Sequence, residues 1–453
     1  MTTAGGASGP PDFDHQDAGT AEEVWRASPQ WSRLPVVGIP DHVRRLVVVS
    51  AHPDDETLVA AGLICLAARA GLEVDVVVAS DGAASHPHSS THTPDQLADI
   101  RALEVRSALR ELAPEGRLHL LGLTDGGLPE HVDAVVEAVV DLIGVAGAHT
   151  LVVSPWEGDG HPDHLAAGRA ASVSAWRTDA TLWQAPIWAW SWASPQDLPW
   201  DNSVLVELPA QVHRAKLAAI AHHLSQVSEL SDLPGDEALL SRTFLEHFSR
   251  DVELFVRCEP QEVTPFDQLY AEQEDPWQLR SSWYEERKRA LTLAALPHPH
   301  YARAIEVGCS LGALSAELAA RCDALLAADE SGLVVSRARR HLAGYPHVDV
   351  ARLQLPEEWP PGWFDLVVLS EIGYFLSPAR LTTLALRTRA SLTEQGVVLA
   401  CHWRHDVRGW PLAGPAVHEL LEQELQLPRI LRHQDEDFEL VAWASQPPIG
   451  PAG

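Results

Sequence analysis

This sequence has few thiols and none paired in a way that would staple a fold or hold a metal. Its five cysteines, Cys65, Cys258, Cys309, Cys322 and Cys401, are scattered without a CxxC pair. That argues against both a disulfide framework and a thiolate zinc site. No apolar run reaches the length of about 18 residues that a membrane span needs. Positive charge is also scarce: 33 Lys and Arg stand against 63 Asp and Glu, a formal charge of −30. Nucleic acid and anionic membranes are therefore poor partners, because a phosphate backbone demands a basic surface; plain solubility accounts for the acidity. Lysine occurs only at Lys216 and Lys288 while arginine and alanine are plentiful, a bias typical of a GC-rich bacterial genome. The opening "MTTAGGASGPPDFDHQDAGT" lacks the basic start and apolar core of a signal peptide. It reads as a cytoplasmic protein with a disordered acidic tail over residues 1–40.

What is present is ample apolar content, 46% of 453 residues, too much chain for one ordinary core. From residue 43 onward β-branched runs ("LVVVSA", "EVDVVVAS", "HTLVVSPW") alternate with segments of helical period ("TLVAAGLICLAARA", "HVDAVVEAVVDLIGVAG"). The pattern weakens through the acidic, proline-bearing stretch from Cys258 to Asp275. It resumes at "ARAIEVGCSLGALSAELAARC" and continues through "ALLAADES", "WFDLVVLSE" and "GVVLACHW". The expected fold is α/β, with two Rossmann-like domains, each a mainly parallel sheet carrying helices on both faces. The domains are expected at 41–258 and 259–453. Ligands in such sheets sit beyond the carboxyl ends of the strands.

Two charged clusters lie at such ends. In "VVVSAHPDDETL" the apolar run stops at Ser50, and His52, Asp54, Asp55 and Glu56 follow almost at once. A helix start needs only one acid as a cap, so the surplus calls for another explanation. About a hundred residues later "GDGHPDH" places His161 and His164 after another strand. Histidines and carboxylates brought to one sheet edge make a mixed set of the kind that holds catalytic zinc, with a position left for water. A spare carboxylate and a spare histidine could then serve as base and as electrophile or acid.

"AHPDDE" with "HPDH" resembles the PIG-L/LmbE-like N-acetylglucosaminyl deacetylases over roughly residues 43–256. Ser80-Asp81-Gly82, "RALE", "LGLTDGGL" and "KLAAIAHHLSQ" add to the match. The resemblance implies zinc, or another divalent metal, held by His52, Asp55 and His164. It also implies Asp54 as general base and His161 as the electrophilic or acid histidine, with Arg101 and Asp125 in the substrate pocket. Glu56 is expected to brace the loop through hydrogen bonds. The implied chemistry is hydrolysis of an amide, usually the N-acetyl group of an amino sugar. Nearby, "LWQAPIWAWSW" sets Trp188, Trp190 and Trp192 at period two, as on one face of a strand. They are either a core face or a stacking platform for a sugar ring.

In the second half "AIEVGCSLGALS" reads as strand, acid, glycine turn and helix, with Asp329 closing the next strand. Glycines let backbone approach a ligand, and an acid at the neighbouring strand end can accept ribose hydroxyls. The Glu-x-Gly-x-x-x-Gly spacing resembles the first motif of class I S-adenosylmethionine-dependent methyltransferases. The flanks "FDQLYAEQEDPW", "SSWYEERKRALTLAAL", "WFDLVVLSEIGYFL" and "CHWRHDVRGWPLAGPAVHELL" are similar to nodulation-type N-methyltransferases, which act on the free amine of a de-N-acetylated oligosaccharide. The resemblance implies a cradle of Glu306, Gly308, Gly312 and Asp329 for S-adenosyl-L-methionine, and a lid-like segment bearing Trp277 and Tyr284. Gln354 stands where relatives carry an acid that reads the adenine amine. His402 and His418 would lie on the methyl-acceptor side.

Together these readings imply a bifunctional enzyme that deacylates an amino sugar or related amide and then methylates the freed amine. The alternatives are two independent activities fused for co-expression, or a zinc-binding half without turnover beside an active methyltransferase.

Overall fold

A computed structural model describes residues 19–259 and 266–446. The chain divides into two compact units, Met1–Glu262 and Val263–Gly453. The expected boundary at 258/259 falls beside residues 260–265, which lie outside the described residues. Among the described residues no helix is long and apolar enough to cross a membrane.

In the first unit the strands are β1 (Arg45–Ser50), β2 (Glu73–Ser80), β3 (Arg117–Leu123), β4 (Thr150–Pro155), β5 (Thr181–Ala185), β6 (Ser203–Glu207) and β7 (Val252–Cys258). They form one sheet in the order β3-β2-β1-β4-β5-β7-β6. β1 to β5 run parallel, and β7 is antiparallel to both β5 and β6. β1 and β4 are buried along nearly their whole length, as parallel strands covered on both faces must be. The helix Asp55–Arg69 that follows β1 is also buried almost all round, which explains its run of small and apolar residues with little polar face.

β1 pairs with β2 on one side and β4 on the other, Val48 standing opposite both Val76 and Val153. The crossover from β1 leads to β2, while β4 lies on its other side, so β1/β4 is a topological switch point where a crevice opens. The chain after β1 carries His52 to Asp55, and the chain after β4 carries Asp159 to His164. Sheet order alone thus brings segments a hundred residues apart to one edge.

The second unit repeats the plan. Its strands are β8 (Tyr301–Val307), β9 (Cys322–Asp329), β10 (Val348–Arg352), β11 (Phe364–Ser370), β12 (Leu392–Trp403), β13 (Arg429–Gln434) and β14 (Phe438–Ala444). Their order, β10-β9-β8-β11-β12-β14-β13, is the first sheet's order shifted by seven strands. Here the switch point lies between β8 and β11, which pair in parallel.

Two sequence expectations are corrected. Residues 19–40 are not a disordered tail: Glu22–Arg26 is a helix, Trp25 is completely buried, and Trp25 Nε1–H donates to the Trp190 carbonyl at 3.0 Å. Glu22 pairs with Arg250 and His247, and Val36 bridges to Leu205 of β6. A few aromatic anchors in a polar stretch suffice to order it, which composition averages away; residues 1–18 lie outside the described residues. The tryptophan stripe is not a strand face either. β5 stops at Ala185, and Ala189–Trp192 is a helical turn. Asp159 accepts the amide N–H groups of Ile187, Trp188 and Ala189 at 2.6 to 3.0 Å, which pulls the backbone out of extended form. Trp190 packs in the core against Trp25 and Trp31.

Candidate active sites

At the β1/β4 edge a cavity of about 260 Å³ is lined by His52, Asp54, Asp55, Arg101, Asp125 and His161, with Leu58, Ile187, Trp188, Leu239 and Leu240 as its apolar wall. Neither acid of the Asp-Asp pair serves as an ordinary helix cap. Asp54 stands at the N-cap but its side chain makes no capping bond. Asp55 Oδ2 instead accepts the Ala51 and His52 amides, at 3.0 and 2.8 Å, folding the loop back so that its Oδ1 faces His164 Nε2 at 3.4 Å. Asp54 takes φ 155° and ψ −27°, a conformation that is costly for a side-chain-bearing residue and typical of functional loops. Glu56 braces this turn: its Oε2 accepts the Asp54 amide at 3.1 Å and its Oε1 the Thr57 hydroxyl at 2.5 Å.

His164 is fully buried with its Nδ1 2.6 Å from Asp159 Oδ2. A carboxylate only accepts, so Nδ1 carries a proton, and Nε2 is turned into the site toward Asp55 Oδ1 with no closer partner; burial works against charge on this ring, but Asp55 and Asp159 raise it to about 9. His52 sets its Nε2 3.2 Å from both Asp125 and Asp163, and its Nδ1 3.6 Å from Asp55. Two trios have ligand atoms close enough for one ion, His52–Asp55–His164 and His52–His161–Asp163. Asp163 is already engaged, by the Gly126 and Leu128 amides as well as by His52. The first trio keeps an open imidazole nitrogen and an open carboxylate oxygen on the same space. Five carboxylates (Asp54, Asp55, Asp125, Asp159 and Asp163) gather here with Arg101 as the fixed cation; against burial, these acids hold the His52 and His164 imidazoles above their usual range, a positive charge that a divalent cation would take over. The residues fit a divalent metal held by two imidazoles and a carboxylate.

The electrostatics follow from this packing. Burial works against charge on Asp55, yet the His164 and His52 imidazoles hold its carboxyl well below the usual range. Burial pushes Asp54 up to about 6 against the pull of Arg101, near the value a base needs at neutral pH. Burial, with His164 and His52 close by, drives His161 down to about 3. The Asp163 amide donates to His161 Nδ1 at 3.1 Å, so the neutral ring carries its proton on Nε2.

Arg101 lines the cavity but is not a free anchor. Its guanidinium holds Asp54 at 3.1 Å and donates to the Gly82 and Pro53 carbonyls. Asp125 accepts the Ala84 amide and faces His52. Asp159 was missed by sequence reasoning although it stands within "GDGHPDH": a partner five residues before its histidine matches no helical spacing. Trp188 lines the cavity stacked on Phe244, with ring centroids 4.5 Å apart.

In the second unit a cavity of about 580 Å³ opens over the carboxyl ends of β9, β8, β11 and β12. Gly308 after β8 has φ 76°, and a Cβ there would sit 3.2 Å from Ile372, so only glycine lets both loops and a ligand share this space. Asp329 accepts the Ser310 and Ser331 amides at 2.9 and 3.0 Å, tying the two strand ends together. Glu306 is buried, its carboxyl pushed up to about 8 by burial and bonded to the Ser315 hydroxyl. Phe266, Tyr270, Trp277, Leu279 and Tyr284 supply an aromatic and apolar cover. Glycine-lined backbone, acids at two adjacent strand ends and aromatic faces fit a nucleoside with a polar tail.

Four expectations for this unit change. Gly312 has φ 79° and starts the helix Ala313–Ala319; the wall of the cavity is made by Gly308, Cys309 and Ser310 instead. Gln354 is exposed and outside the lining, which its neighbours Leu353 and Leu355 supply in the loop after β10. His402 and His418 are buried away from the lining. His402 Nε2 accepts the Gly373 amide at 3.0 Å, and its Nδ1 lies 3.3 Å from His418 Nε2; burial drives both well below the usual range. They tie β12 to the helix Gly414–Leu425, since only alternate residues of the strand face the cavity. The residues sequence reasoning missed are Glu371 and Lys288. Glu371 follows β11 with φ 57°, a strain of about 1–2 kcal/mol for a residue with a Cβ. Lys288 joins Glu371 and Glu285 at 2.7 Å each.

Both units are α/β sheets with a cavity at the strand ends, the first fitting a divalent metal and the second a nucleoside. The chain matches the PIG-L family (GlcNAc-PI de-N-acetylase) over residues 47–175 and the nodulation protein S (NodS) family over residues 262–427. It is 28% identical over 270 residues to a 1D-myo-inositol 2-acetamido-2-deoxy-alpha-D-glucopyranoside deacetylase of Mycobacteroides abscessus, covering 48% of this chain and 93% of that protein. It is 31% identical over 104 residues to Nodulation protein S of Rhizobium tropici, covering 23% of this chain and 44% of that protein. Among solved structures, the N-methyltransferase NodS from Bradyrhizobium japonicum WM9 in complex with S-adenosyl-L-homocysteine aligns with 20% identity and a TM-score of 0.37, over 40% of this chain and 96% of that one. The chain therefore joins a PIG-L deacetylase domain to a NodS-type S-adenosylmethionine-dependent methyltransferase domain. PIG-L deacetylases are zinc-dependent.

Proposed function

We propose that the first domain removes an N-acyl group, in the first instance N-acetyl, from an amino sugar or related amide, and that the second methylates the freed amine. The observation that carries the hydrolytic half is the open pair, His164 Nε2 and Asp55 Oδ1, beside the spare carboxylate of Asp54. A divalent metal held by His52, Asp55 and His164 would supply a Lewis acid for the carbonyl and for a water. Asp54, oriented by Arg101, takes the proton from that water as its oxygen attacks the carbonyl carbon. His161 donates its Nε2–H to the carbonyl oxygen as negative charge develops there. Asp54 returns the proton to the nitrogen as the C–N bond breaks, leaving a carboxylic acid and an amine, which exchange the remaining proton to give carboxylate and ammonium. Asp125 fixes His52 and borders the substrate.

In the second domain Glu306, Gly308 and Asp329 hold S-adenosyl-L-methionine, which supplies an electrophilic methyl group, and Tyr270 and Trp277 close over it. The halves belong together chemically: hydrolysis of an amide yields the amine that an N-methyltransferase consumes. A cytoplasmic site of action suits the free thiols. The test is incubation of the whole chain with zinc, S-adenosylmethionine and a methyl glycoside of N-acetylglucosamine, followed by mass spectrometry. The expected product has lost acetyl and gained methyl on the same nitrogen. Acetate release with methyl transfer only to an unrelated acceptor refutes the coupling.

A further inference from the structure

Tyr284, Glu371 and Lys288 form an unusual group at the end of the methyltransferase cavity away from β9. Across the sheet edge Asp329 ends β9, Gly308 follows β8, Glu371 follows β11 and Trp403 ends β12. Glu371 is thus one strand beyond the glycine turn, and its neighbour Ile372 is the side chain that a Cβ at Gly308 would meet. Three contacts hold its carboxylate. Lys288 Nζ donates to Oε1, and the Trp403 amide and the Tyr374 hydroxyl donate to Oε2. One acceptor position on Oε1 remains.

Lys288 is one of two lysines in the chain and is buried between Glu285 and Glu371. Two carboxylates share this one ammonium, so the group is negative by one charge. Tyr284 stands over the same ammonium, its ring centroid 5.0 Å from Nζ, and packs edge-on against Trp403 and Phe438. The residue lines the cavity, and its hydroxyl is buried without a hydrogen-bond partner. A rigidly packed phenol with an empty acceptor, beside a carboxylate held in a strained conformation, is a built subsite awaiting a polar hydrogen-bearing group.

We propose that Tyr284 Oη and Glu371 Oε1 bind the amino group of the methyl acceptor, with Lys288 as a positioning residue that holds Glu371. The excess negative charge selects an amine, neutral or protonated, over a carboxylate or phosphate. Two acceptors on its N–H groups place the nitrogen beside the glycine turn with its remaining direction toward the donor. The inference rests on the amine-methylation reading above and assigns the residues that recognise that amine.

The test uses the full chain, with methyl glucosaminide as amine probe and the chelator-treated protein so that the first site is silent. Tyr284→Phe removes an oxygen that makes no hydrogen bond, so the unfolding temperature stays unchanged. It is expected to raise the KM for methyl glucosaminide at least tenfold with kcat within threefold. Calorimetry in the presence of S-adenosylhomocysteine should show the same loss of amine affinity, while affinity for S-adenosylhomocysteine itself stays within twofold. Glu371→Gln is expected to weaken the amine in the same sense. An unchanged amine KM in Tyr284→Phe overturns the inference, as does an equal loss of S-adenosylhomocysteine affinity, which would place Tyr284 on the donor side. If the wild type methylates no amine, the proposed function fails and this assignment with it; if it does and Tyr284→Phe is unaffected, only the assignment fails.

Discussion

Replacing Asp159 by asparagine separates metal binding from folding at the deacetylase site. The Asp159 carboxylate is fully buried and accepts from His164 Nδ1 and from the amides of Ile187, Trp188 and Ala189. An amide oxygen has two lone pairs, so at least two of those four buried donors lose their acceptor. At about 1–3 kcal/mol for each unsatisfied buried group the domain loses about 2–6 kcal/mol, a large part of an ordinary stability margin. The imidazole also loses the partner that keeps its proton on Nδ1, and removal of such a partner costs about 10–100-fold in metal affinity. The assay is zinc competition against a chromophoric chelator, beside urea unfolding of the metal-free protein. Glu22→Gln is the control, because it weakens the same domain from outside the cavity lining and should leave zinc affinity alone. An Asp159→Asn protein that is destabilised yet binds zinc like the wild type would refute the account of how His164 is held.

Three further outcomes follow from the same contacts. Burial opposes charge on Glu22, but hydrogen bonds from Arg250 and His247 hold its carboxyl at about 2, below its ordinary 4.5; its stabilisation is complete above pH 4.5 and lost as pH falls toward 2. The urea-midpoint difference between wild type and Glu22→Gln should therefore shrink from pH 5 to pH 3, and an equal difference at both values would be the wrong result. Glu306 has the opposite sign: burial raises it to about 8, so the folded methyltransferase domain is penalised increasingly from pH 4.5 to 8. Glu306→Gln should relieve that loss in thermal unfolding at pH 8 while weakening S-adenosylhomocysteine by calorimetry; a variant less stable at pH 8 than wild type contradicts this. Alkylation of all accessible thiols should release no zinc in a colorimetric assay, because no cysteine is near the proposed ligands; stoichiometric release would point to a thiolate site.

Periodicity was enough to read the parallel core of both sheets, since buried parallel strands and their helices write different repeats into the chain; the antiparallel edge strands β6, β7, β13 and β14 were not read. The strand ends that line the two cavities were also legible, because acids and histidines directly after an apolar strand have little structural use. Local patterns failed where a distant group overrode them. The tryptophans at 188, 190 and 192 alternate like a strand, yet Asp159 draws three of the local amides into a turn. His402 and His418 looked available because a one-dimensional motif does not say which face of β12 a residue occupies.

By itself the sequence determined the two α/β units, the strand ends that bear the sites and the kinds of side chain gathered there, since each depends on neighbours within a few residues. Only the tertiary structure decided that Asp159 and not another acid orients His164, and that Arg101 holds Asp54. It also showed that Gln354 faces outward and that Tyr284, Lys288 and Glu371 meet at one end of a cavity. Those choices depend on strand order, which sets distances between residues whose separation along the chain carries no information about them.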